Sequence, residues 1–323
     1  MKTKLLAVMA TLGMVASASA VKINNNLSIN GFIDGSYATI EGAEAKSQSL
    51  EIDEVELNFV LNVGNVSGLV AIDSDISNNA GGTRVQPGVG VEQAHFTYNV
   101  NDAVSVTFGR YGAALGFERE DPAGLYTYSR AYKDAAFNLG NIDENAVEGL
   151  TLAYAADAYS VAVSLENAAG DEANLQTNDL DFEISLTYTG IAGVNIGGGF
   201  FLDNEAAGSA ETDAVNLHIS RQFGKLLLAG EYTQLDTNTN GSETASSEAD
   251  AYLILADYDI SDKFGVAVRL SSQEQVGEGD YDKFTIAPNY AITESLGAIL
   301  EYSDVDDAGV DSEEYAVELT YTF

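Results

Sequence analysis

The chain contains no cysteine, and this absence removes several kinds of chemistry at once. Disulfide bridges, thiolate metal sites and cysteine nucleophiles are all excluded. Histidine is scarce as well, because His95 and His218 are the only two imidazoles in 323 residues. Tryptophan is absent, and the three prolines form no proline-rich break at which two domains could be joined. We therefore expect a single domain with little catalytic chemistry.

Positive charge is also sparse. The chain has 14 lysines and arginines against 50 aspartates and glutamates, a formal net charge of -36. A field of this sign repels nucleic acid strongly. Acidic composition can mark disorder, but 46% hydrophobic residues with 17 tyrosines and 13 phenylalanines are typical of an ordered protein. We expect no nucleic-acid partner and an ordered scaffold that carries the acidic groups.

Long apolar runs are missing too. Residues 1–20 combine two N-terminal lysines, an apolar run from Leu5 to Val15 and the small residues Ala18 to Ala20, which is the pattern of a cleavable export signal. No later stretch approaches the roughly 20 apolar residues that a membrane helix needs. The mature chain is expected to begin near Val21, and helical membrane insertion is excluded.

What the chain does contain is a strict alternation of apolar and polar residues. Segments such as 57–63, 94–100 and 180–188 repeat with a period of two, which gives one apolar and one polar face. About 16 such strands can be counted, several of them about nine to eleven residues long, which suits a tilted membrane crossing. Short turns alternate with long connectors, and this arrangement closes only for an even number of strands.

These features predict an all-β protein, a transmembrane antiparallel β-barrel of about 16 strands over residues 21–323 with a long third extracellular loop. A soluble β-sandwich has the same period of two. At this length, however, it would need two domains and a linker, and the sequence has no break of that kind.

The alternation also predicts which side chains face the lumen, because a membrane barrel turns its apolar face to lipid. The polar residues expected to face inward are Asp34, Glu54, Glu56, Asn58, Gln93, His95, Thr97, Asp181, Glu183, His218, Glu231, Glu301, Glu314 and Glu318. The basic residues expected among them are few, such as Arg269 and Lys283. Arg221 falls on the outward face beside a short turn at Gly224, where it can reach the membrane interface. The predicted lumen is wet and strongly negative.

The longest connector, residues 112–146, lies next to the most distinctive stretch of the chain. The motifs in order are Gly109-Arg110, Gly116-Phe117-Glu118, Pro122-Ala123-Gly124-Leu125-Tyr126 and Tyr128-Ser129-Arg130. These motifs resemble those of the OmpL-like β-barrel porins of Gram-negative bacteria, with a local likeness of about 25 residues that the barrel pattern extends. The resemblance implies the outer membrane as location and a third loop that folds inward to narrow a pore.

General porins set an acidic loop against a basic wall, whereas here the loop is rich in basic residues and the predicted wall is acidic, so we expect the reverse polarity. The candidates for lining or constricting the pore are Arg110, Glu118, Arg119, Glu120, Asp121, Arg130, Lys133, Glu54, Glu56, Asp181, Glu183, Arg269, Lys283 and Glu318. Two interpretations of the loop arginines stay open. They form salt bridges that fix the loop to the wall, or they shape the electric field of the constriction.

The final strand alternates from Tyr315 to the C-terminal Phe323, and it resembles the terminal strand by which outer-membrane barrels are recognised for assembly. We expect a passive diffusion channel for small hydrophilic solutes that prefers cations, with no cofactor and no enzymatic step. The expected partners are outer-membrane lipid and lipopolysaccharide, the barrel assembly machinery and, by likeness to porins, two further copies in a homotrimer. The alternative is a non-conducting barrel with a structural, adhesive or ligand-binding role.

One strand face suggests hydrolase chemistry. Asn216, His218 and Ser220 share it, and a histidine two residues before a serine resembles the arrangement in outer-membrane phospholipase. In that family the active residues lie on the lipid-facing wall, and here Leu217 and Ile219 occupy that face. We therefore expect the set to line the lumen without catalysis.

Two acidic stretches suggest calcium loops. Residues 304–309 and 73–75 have closely spaced aspartates, but Tyr315 and Arg84 stand where each loop would need its bidentate glutamate. Solvated charge is the favoured interpretation, with weak divalent binding by acidic outer loops as the alternative. No defined metal site is predicted.

Overall fold

The structure of the protein, a computed structural model, describes residues 20–42, 46–75, 88–118, 121–133, 137, 146–167, 180–204, 210–239, 246–275 and 279–323. The predicted export signal, residues 1–20, lies outside these ranges except for Ala20. The described ranges are mostly strand, and none of their helical segments is long and apolar enough to cross a membrane.

Seventeen strands occur in the described ranges. They are β1 (Val21–Lys22), β2 (Leu27–Gly42), β3 (Lys46–Val63), β4 (Val66–Asp75), β5 (Gly90–Asn99), β6 (Val104–Gly112), β7 (Ala146–Ala155), β8 (Tyr159–Asn167), β9 (Leu180–Tyr188), β10 (Val194–Leu202), β11 (Ala210–Phe223), β12 (Leu226–Thr239), β13 (Ser246–Asp259), β14 (Phe264–Gln275), β15 (Gly279–Ala291), β16 (Leu296–Asp307) and β17 (Val310–Thr322). One 3₁₀ turn, Pro122–Gly124, lies between β6 and β7.

Sixteen of these strands, β2 to β17, form a closed antiparallel barrel. Each pairs with its neighbour in sequence, and β17 pairs with β2 to complete the ring, with Tyr321 opposite Ile33. The two-residue β1 pairs only with the start of β2. Closure leaves no unpaired edge in the sheet, which a barrel in lipid requires. The predicted strand number, the antiparallel order and the pairing of the last strand with the first are confirmed.

The connectors sort by length between the two ends of the barrel. One end has tight turns such as Gly64–Asn65 and Gly224–Lys225, whose glycines adopt φ of 63° and 62°. The other end carries the longer connectors, including the one between β6 and β7. Residues 304–309, which we expected in an acidic outer loop, are mostly strand, because β16 continues to a two-residue turn at Ala308–Gly309 before β17. The aspartates at 304, 306 and 307 are therefore strand residues.

The two faces of the barrel differ in polarity as the alternation predicts. On β11, Leu217 points outward with 58% of its surface exposed, while the neighbouring Asn216 faces inward and is 2% exposed. Tyr98, Tyr188, Tyr258, Tyr290 and Tyr321 are exposed near the short-turn end, as in the aromatic belts of membrane proteins. The outer face is therefore an apolar belt with tyrosines at one rim.

Two β-bulges change which acids face the lumen. The β2–β3 register skips Asp53, and the β4–β5 register skips Glu92. A bulge inserts one unpaired residue and lets two successive side chains point to the same side. Glu92 is consequently buried beside Gln93, although strict alternation places it outside.

Candidate functional site

The connector between β6 and β7 folds into the barrel. We call its described residues, 113–118, 121–133 and 137, the inner loop. Its Tyr128 hydroxyl lies 3.0 Å from the Ser36 hydroxyl on β2, and its Ala114 N–H donates to Glu183 on β9 over 3.3 Å. Since β2 and β9 are seven strands apart, the inner loop crosses the lumen. The described residues of this connector therefore lie inside the barrel.

Arg269 on β14 is the centre of the attachment. Its side chain is fully buried, and its Nη1 donates to both carboxylate oxygens of Glu118 at 2.7 and 2.9 Å. The same guanidinium donates to the Thr127 hydroxyl at 2.7 Å and to the carbonyls of Ser129 and Arg130, each at 2.9 Å. Charge-assisted bonds of this kind are the strong ones in proteins. One wall residue thus holds Glu118 and residues 127–130 of the inner loop.

Carboxylates on the wall fix the loop backbone at further points. Glu231 accepts the Phe117 N–H at 2.6 Å, and Glu301 accepts the Ser129 N–H at 3.1 Å. Glu118 itself accepts the Ala131 N–H at 2.8 Å. Each of these bonds gives a buried carboxyl oxygen and a loop N–H group a hydrogen-bond partner. These acids therefore act as fixed acceptors for the loop, a role that their sequence position did not reveal.

An apolar cluster supports the inner loop from the same side of the barrel. Leu115 and Phe137 of the loop pack with Leu253 and Leu255 of β13, which point inward and are 1% and 0% exposed. The expectation that apolar side chains face lipid is wrong at these two positions. The sequence does carry a trace of the exception, since residues 251–256 are apolar on both faces of the strand. A strand that is apolar on both faces indicates that something covers its inner face.

The loop and the wall exchange charge in both directions. Lys133 of the loop pairs with Asp307 of β16 at 2.7 Å, as expected for a basic loop on an acidic wall. At the buried anchor the order is the opposite, with the acid Glu118 on the loop and the base Arg269 on the wall. The expected arrangement, with the base on the loop and the acid on the wall, is therefore wrong for the buried Arg269–Glu118 pair and right for the exposed Lys133–Asp307 pair. The wall base Lys283 pairs with Glu314 on β17 at 2.7 Å.

Burial keeps two loop tyrosines neutral to a higher pH than usual. Burial raises the pKa of Tyr128 to about 12, and burial beside the Glu231 carboxylate also raises the pKa of Tyr132. Their hydroxyl groups can thus serve as hydrogen-bond donors at neutral pH. Tyr132 donates to Glu231 over 3.3 Å.

A group of acids gathers on the opposite wall. One oxygen each from Glu54 and Glu56 of β3 and from Asp121 of the inner loop lie within 4.8 Å of one another. Glu92 on β5 is also in contact with Glu56 and is 4% exposed. Three of these residues were predicted from the alternation and the loop motif, whereas Glu92 was missed because its bulge reverses the expected direction.

The remaining predicted residues occupy separate places. Asp181 and Glu183 line β9 next to Glu166 of β8, and Glu318 of β17 lies beside Asp34, all nearly buried.

The loop arginines divide into three cases. Arg130 is mostly buried in the inner loop and contacts the Glu118 carbonyl. Arg119 and Glu120 lie outside the described residues. The prediction that Arg110 lines the lumen is wrong. Arg110 precedes the inward-facing Tyr111 and pairs with Ala94, which lies on the outer face of the barrel.

The suspected hydrolase face belongs to the lumen wall. The Nδ1 atom of His218 lies 3.1 Å from the Asn216 amide oxygen, and the ring faces Phe117 of the inner loop at 6.2 Å between centroids. Asn216 in turn donates to Glu231 at 2.8 Å. Through these contacts, His218 helps to support the inner loop.

Phe323 lies at the seam where the barrel closes. Its backbone N–H and C=O both bond to Gly31 of β2, each at 3.1 Å, and its ring stacks with Tyr321 at 5.9 Å. A side chain at Gly31 would clash with the backbone carbonyl oxygen of Glu56 and would also meet the Phe323 ring at 3.1 Å, so the position requires glycine.

Comparisons with known proteins agree with this geometry. A family described as "Putative beta-barrel porin-2, OmpL-like" matches residues 27–315. Among solved structures, the anion-selective porin from Comamonas acidovorans superposes with a TM-score of 0.69 at 12% identity, covering 92% of this chain and 99% of that chain. Salmonella typhi OmpF in complex with daunomycin gives 0.66 at 12% identity, with 94% and 100% covered.

A third solved structure, the trimer form of OmpT from Vibrio cholerae, gives a TM-score of 0.61 at 12% identity, with 92% and 99% covered. No curated protein matches the sequence. At such identities the likeness to solved structures concerns the fold, while the family match spans most of the chain.

Proposed function

The chain belongs to the OmpL-like β-barrel porin-2 family of outer-membrane proteins, and from that premise we propose that it is a passive diffusion channel for small hydrophilic solutes with a preference for cations. No covalent step is needed for this function, and the family is one of channels rather than enzymes. Residues 1–20 are proposed to be removed on export, so that residues 21–323 form the barrel.

The observation that carries the preference for cations is the excess of acids on the inner surface. Acidic residues that face the lumen include Asp34, Glu54, Glu56, Glu92, Glu166, Asp181 and Glu318, in addition to those that hold the inner loop. The basic groups Arg269 and Lys283 are each paired with a carboxylate. Acidic linings raise the local cation concentration and lower the barrier to entry.

The fold by itself leaves the sign of the selectivity open, because the anion-selective porin from Comamonas acidovorans has a similar barrel. Selectivity in such channels depends on the side chains that line the lumen. The pore-lining role therefore rests on Glu54, Glu56, Asp121 and Glu318, with Arg130 of the inner loop as a local positive charge. We further propose that the barrel forms trimers in a membrane that contains lipopolysaccharide, after insertion by the barrel assembly machinery.

A second function is favoured by the inner loop itself. The loop crosses from β9 to β2, and wall residues such as Thr233, Thr285 and Ser303 are 0% exposed. A lumen filled in this way would suit a non-conducting barrel with a structural or binding role.

Planar-bilayer recording of the purified, folded protein tests the proposal. Discrete ohmic steps are expected, with a reversal potential in a KCl gradient of the sign for K⁺ over Cl⁻. Steps of the opposite selectivity would contradict the preference for cations but not the channel. A correctly folded barrel that stays silent would favour the non-conducting role.

A further inference from the structure

The acidic group between the inner loop and the wall has the geometry of a cation site. The three oxygens from Glu54, Glu56 and Asp121 lie within 4.8 Å of one another. Two oxygens bound to the same Ca²⁺ at about 2.3–2.6 Å are at most about 5 Å apart. The three residues come from two separate parts of the chain, β3 and the inner loop, so a shared ion would connect the loop to the wall.

Glu92 supplies an independent observation that points to a ligand. Its side chain is 4% exposed, and its Oε2 atom has no hydrogen-bond partner among the described residues. The carboxylate is directed into the group and contacts that of Glu56. Burying a carboxyl oxygen that has no partner is unfavourable. The bulge in β5 is what turns this side chain inward.

Among the described residues, charges of both signs lie near the group. Arg130 is close enough to Asp121 and Glu54 to interact with them, but Asp73 adds a further negative charge beside Glu54. Arg110 lies on the outward register, and its Nε donates to the Glu92 backbone carbonyl at 2.7 Å. Glu54, Glu56 and Asp121 thus lie close together, and Glu92 contacts Glu56 beside them. A divalent cation would supply positive charge and a contact for the Glu92 Oε2 atom.

We propose that Glu54, Glu56, Glu92 and Asp121 bind a divalent cation, with Ca²⁺ as the preferred ion, and that this ion fixes the inner loop to β3 and β5. All four donors are carboxylates, which suits hard cations and disfavours zinc or copper. Donors that come from two strands and a loop suit the flexible coordination of Ca²⁺ better than the octahedral geometry of Mg²⁺. The site does not require that the barrel conducts, but an ion bound there would offset part of the acidic charge to which we assign the preference for cations.

The test is calorimetric titration of the full, folded protein in detergent after removal of metal ions with EDTA, using CaCl₂ and, separately, MgCl₂. We expect saturable binding of Ca²⁺ that is tighter than that of Mg²⁺. Glu92→Gln and Asp121→Asn should each weaken Ca²⁺ binding by about tenfold or more, because each removes one charged ligand. Asp257→Asn is the matched control, since Asp257 faces the lumen on β13 across the barrel.

Folding of every variant is checked by the shift in gel mobility between heated and unheated samples. Glu92→Gln keeps the shape of the side chain, so it remains informative if Asp121→Asn fails to fold. Absence of saturable Ca²⁺ binding by the wild-type protein would overturn the proposal. Equal binding by the wild-type protein and Glu92→Gln would also overturn it, because the ion would then be bound elsewhere on the acidic surface.

Discussion

Two stretches of the inner wall use the same type of residue in opposite ways. On β9–β16, which we call the anchoring wall, Glu183, Glu231 and Glu301 accept hydrogen bonds from the inner loop. On β2–β8, which we call the acidic wall, Glu92 and Glu166 are buried with carboxylate oxygens that have no partner among the described residues. The difference is made by the loop, which presents backbone N–H groups to one wall and Asp121 to the other.

The two walls therefore differ in role: one holds the inner loop, and the other sets the electric field in the lumen. A carboxylate whose oxygens are bonded to the loop contributes to holding it, while its charge is partly offset by the donors. A carboxylate without donors has no loop group to offset its charge, and because burial disfavours that charge, a cation close by stabilises it. The anchoring wall is therefore expected to determine where the inner loop lies, and the acidic wall to determine which ions approach it.

The largest effect is expected when the anchoring wall loses Arg269. The substitution Arg269→Met leaves Glu118 buried without its counter-charge, and removing one partner of such a pair costs about 3–5 kcal/mol. The inner loop should detach, so that the single-channel conductance rises while the free energy of unfolding falls. The control is Arg221→Met, because Arg221 is exposed on the outer face above Phe223 and should cost about 1 kcal/mol or less. If Arg269→Met and wild type had the same conductance and stability, the loop would have to be held elsewhere.

A smaller effect is expected from the apolar support of the loop. Leu253→Ala creates a cavity beneath the inner loop and should lower the free energy of unfolding by about 2–5 kcal/mol. Denaturant titration of the barrel in detergent measures the loss. The matched control is Ile254→Ala on the same strand, since Ile254 is 59% exposed on the outer face and lipid or detergent fills the space left behind. An equal or larger loss for Ile254→Ala would speak against a packed inner cluster.

On the acidic wall we expect a change of selectivity without a change of stability. Glu166→Gln puts a neutral amide in place of a fully buried carboxyl whose two oxygens have no partner in the described part of the chain. A unit charge about 8 Å away attracts K⁺ and repels Cl⁻ by about 0.5 kcal/mol each in water, so loss of a full charge should lower the K⁺/Cl⁻ permeability ratio by about fivefold. The reversal potential in a KCl gradient measures this ratio. Asp262→Asn, in the exposed turn after β13, should leave it unchanged, and a wild-type ratio in Glu166→Gln would remove that residue from the permeation pathway.

The alternation along the chain was sufficient to predict the barrel, the number of strands and most inward-facing acids. Period two is a local property, and lipid on one side of every strand enforces it throughout the membrane. The same rule failed at Leu253 and Leu255, because the inner loop replaces water as their surroundings. It failed at Glu92 because a bulge, which depends on the register of two strands, cannot be read from one strand.

The anchor was beyond sequence reasoning for a related reason. Arg269 and Glu118 are separated by 151 residues, and neither stands in a motif that names its partner. From the sequence we expected the loop and the wall to form charge pairs. We placed the basic partners on the loop because the loop is rich in basic residues. Which residues form a buried pair depends on their positions in the fold, however. The excess of basic residues in the loop therefore did not predict the sign of the loop residue in the buried pair.

The smallest effect on the contrast between the walls is expected at the seam between β17 and β2, where the barrel closes. Deletion of Phe323 removes two backbone hydrogen bonds to Gly31, each worth about 0.5–1.5 kcal/mol, together with the ring stacked on Tyr321. Because this residue lies at the junction of β17 and β2, we expect fewer folded barrels in the membrane but unchanged conductance and selectivity in those that assemble. Quantitative immunoblotting of unheated membrane fractions measures the first quantity and bilayer recording the second. Substitution of Thr322 by Ser is the control, since it keeps the backbone bonds. Normal membrane levels of the shortened chain would show that closure needs no terminal aromatic residue, and altered selectivity would show that the seam influences the acidic wall.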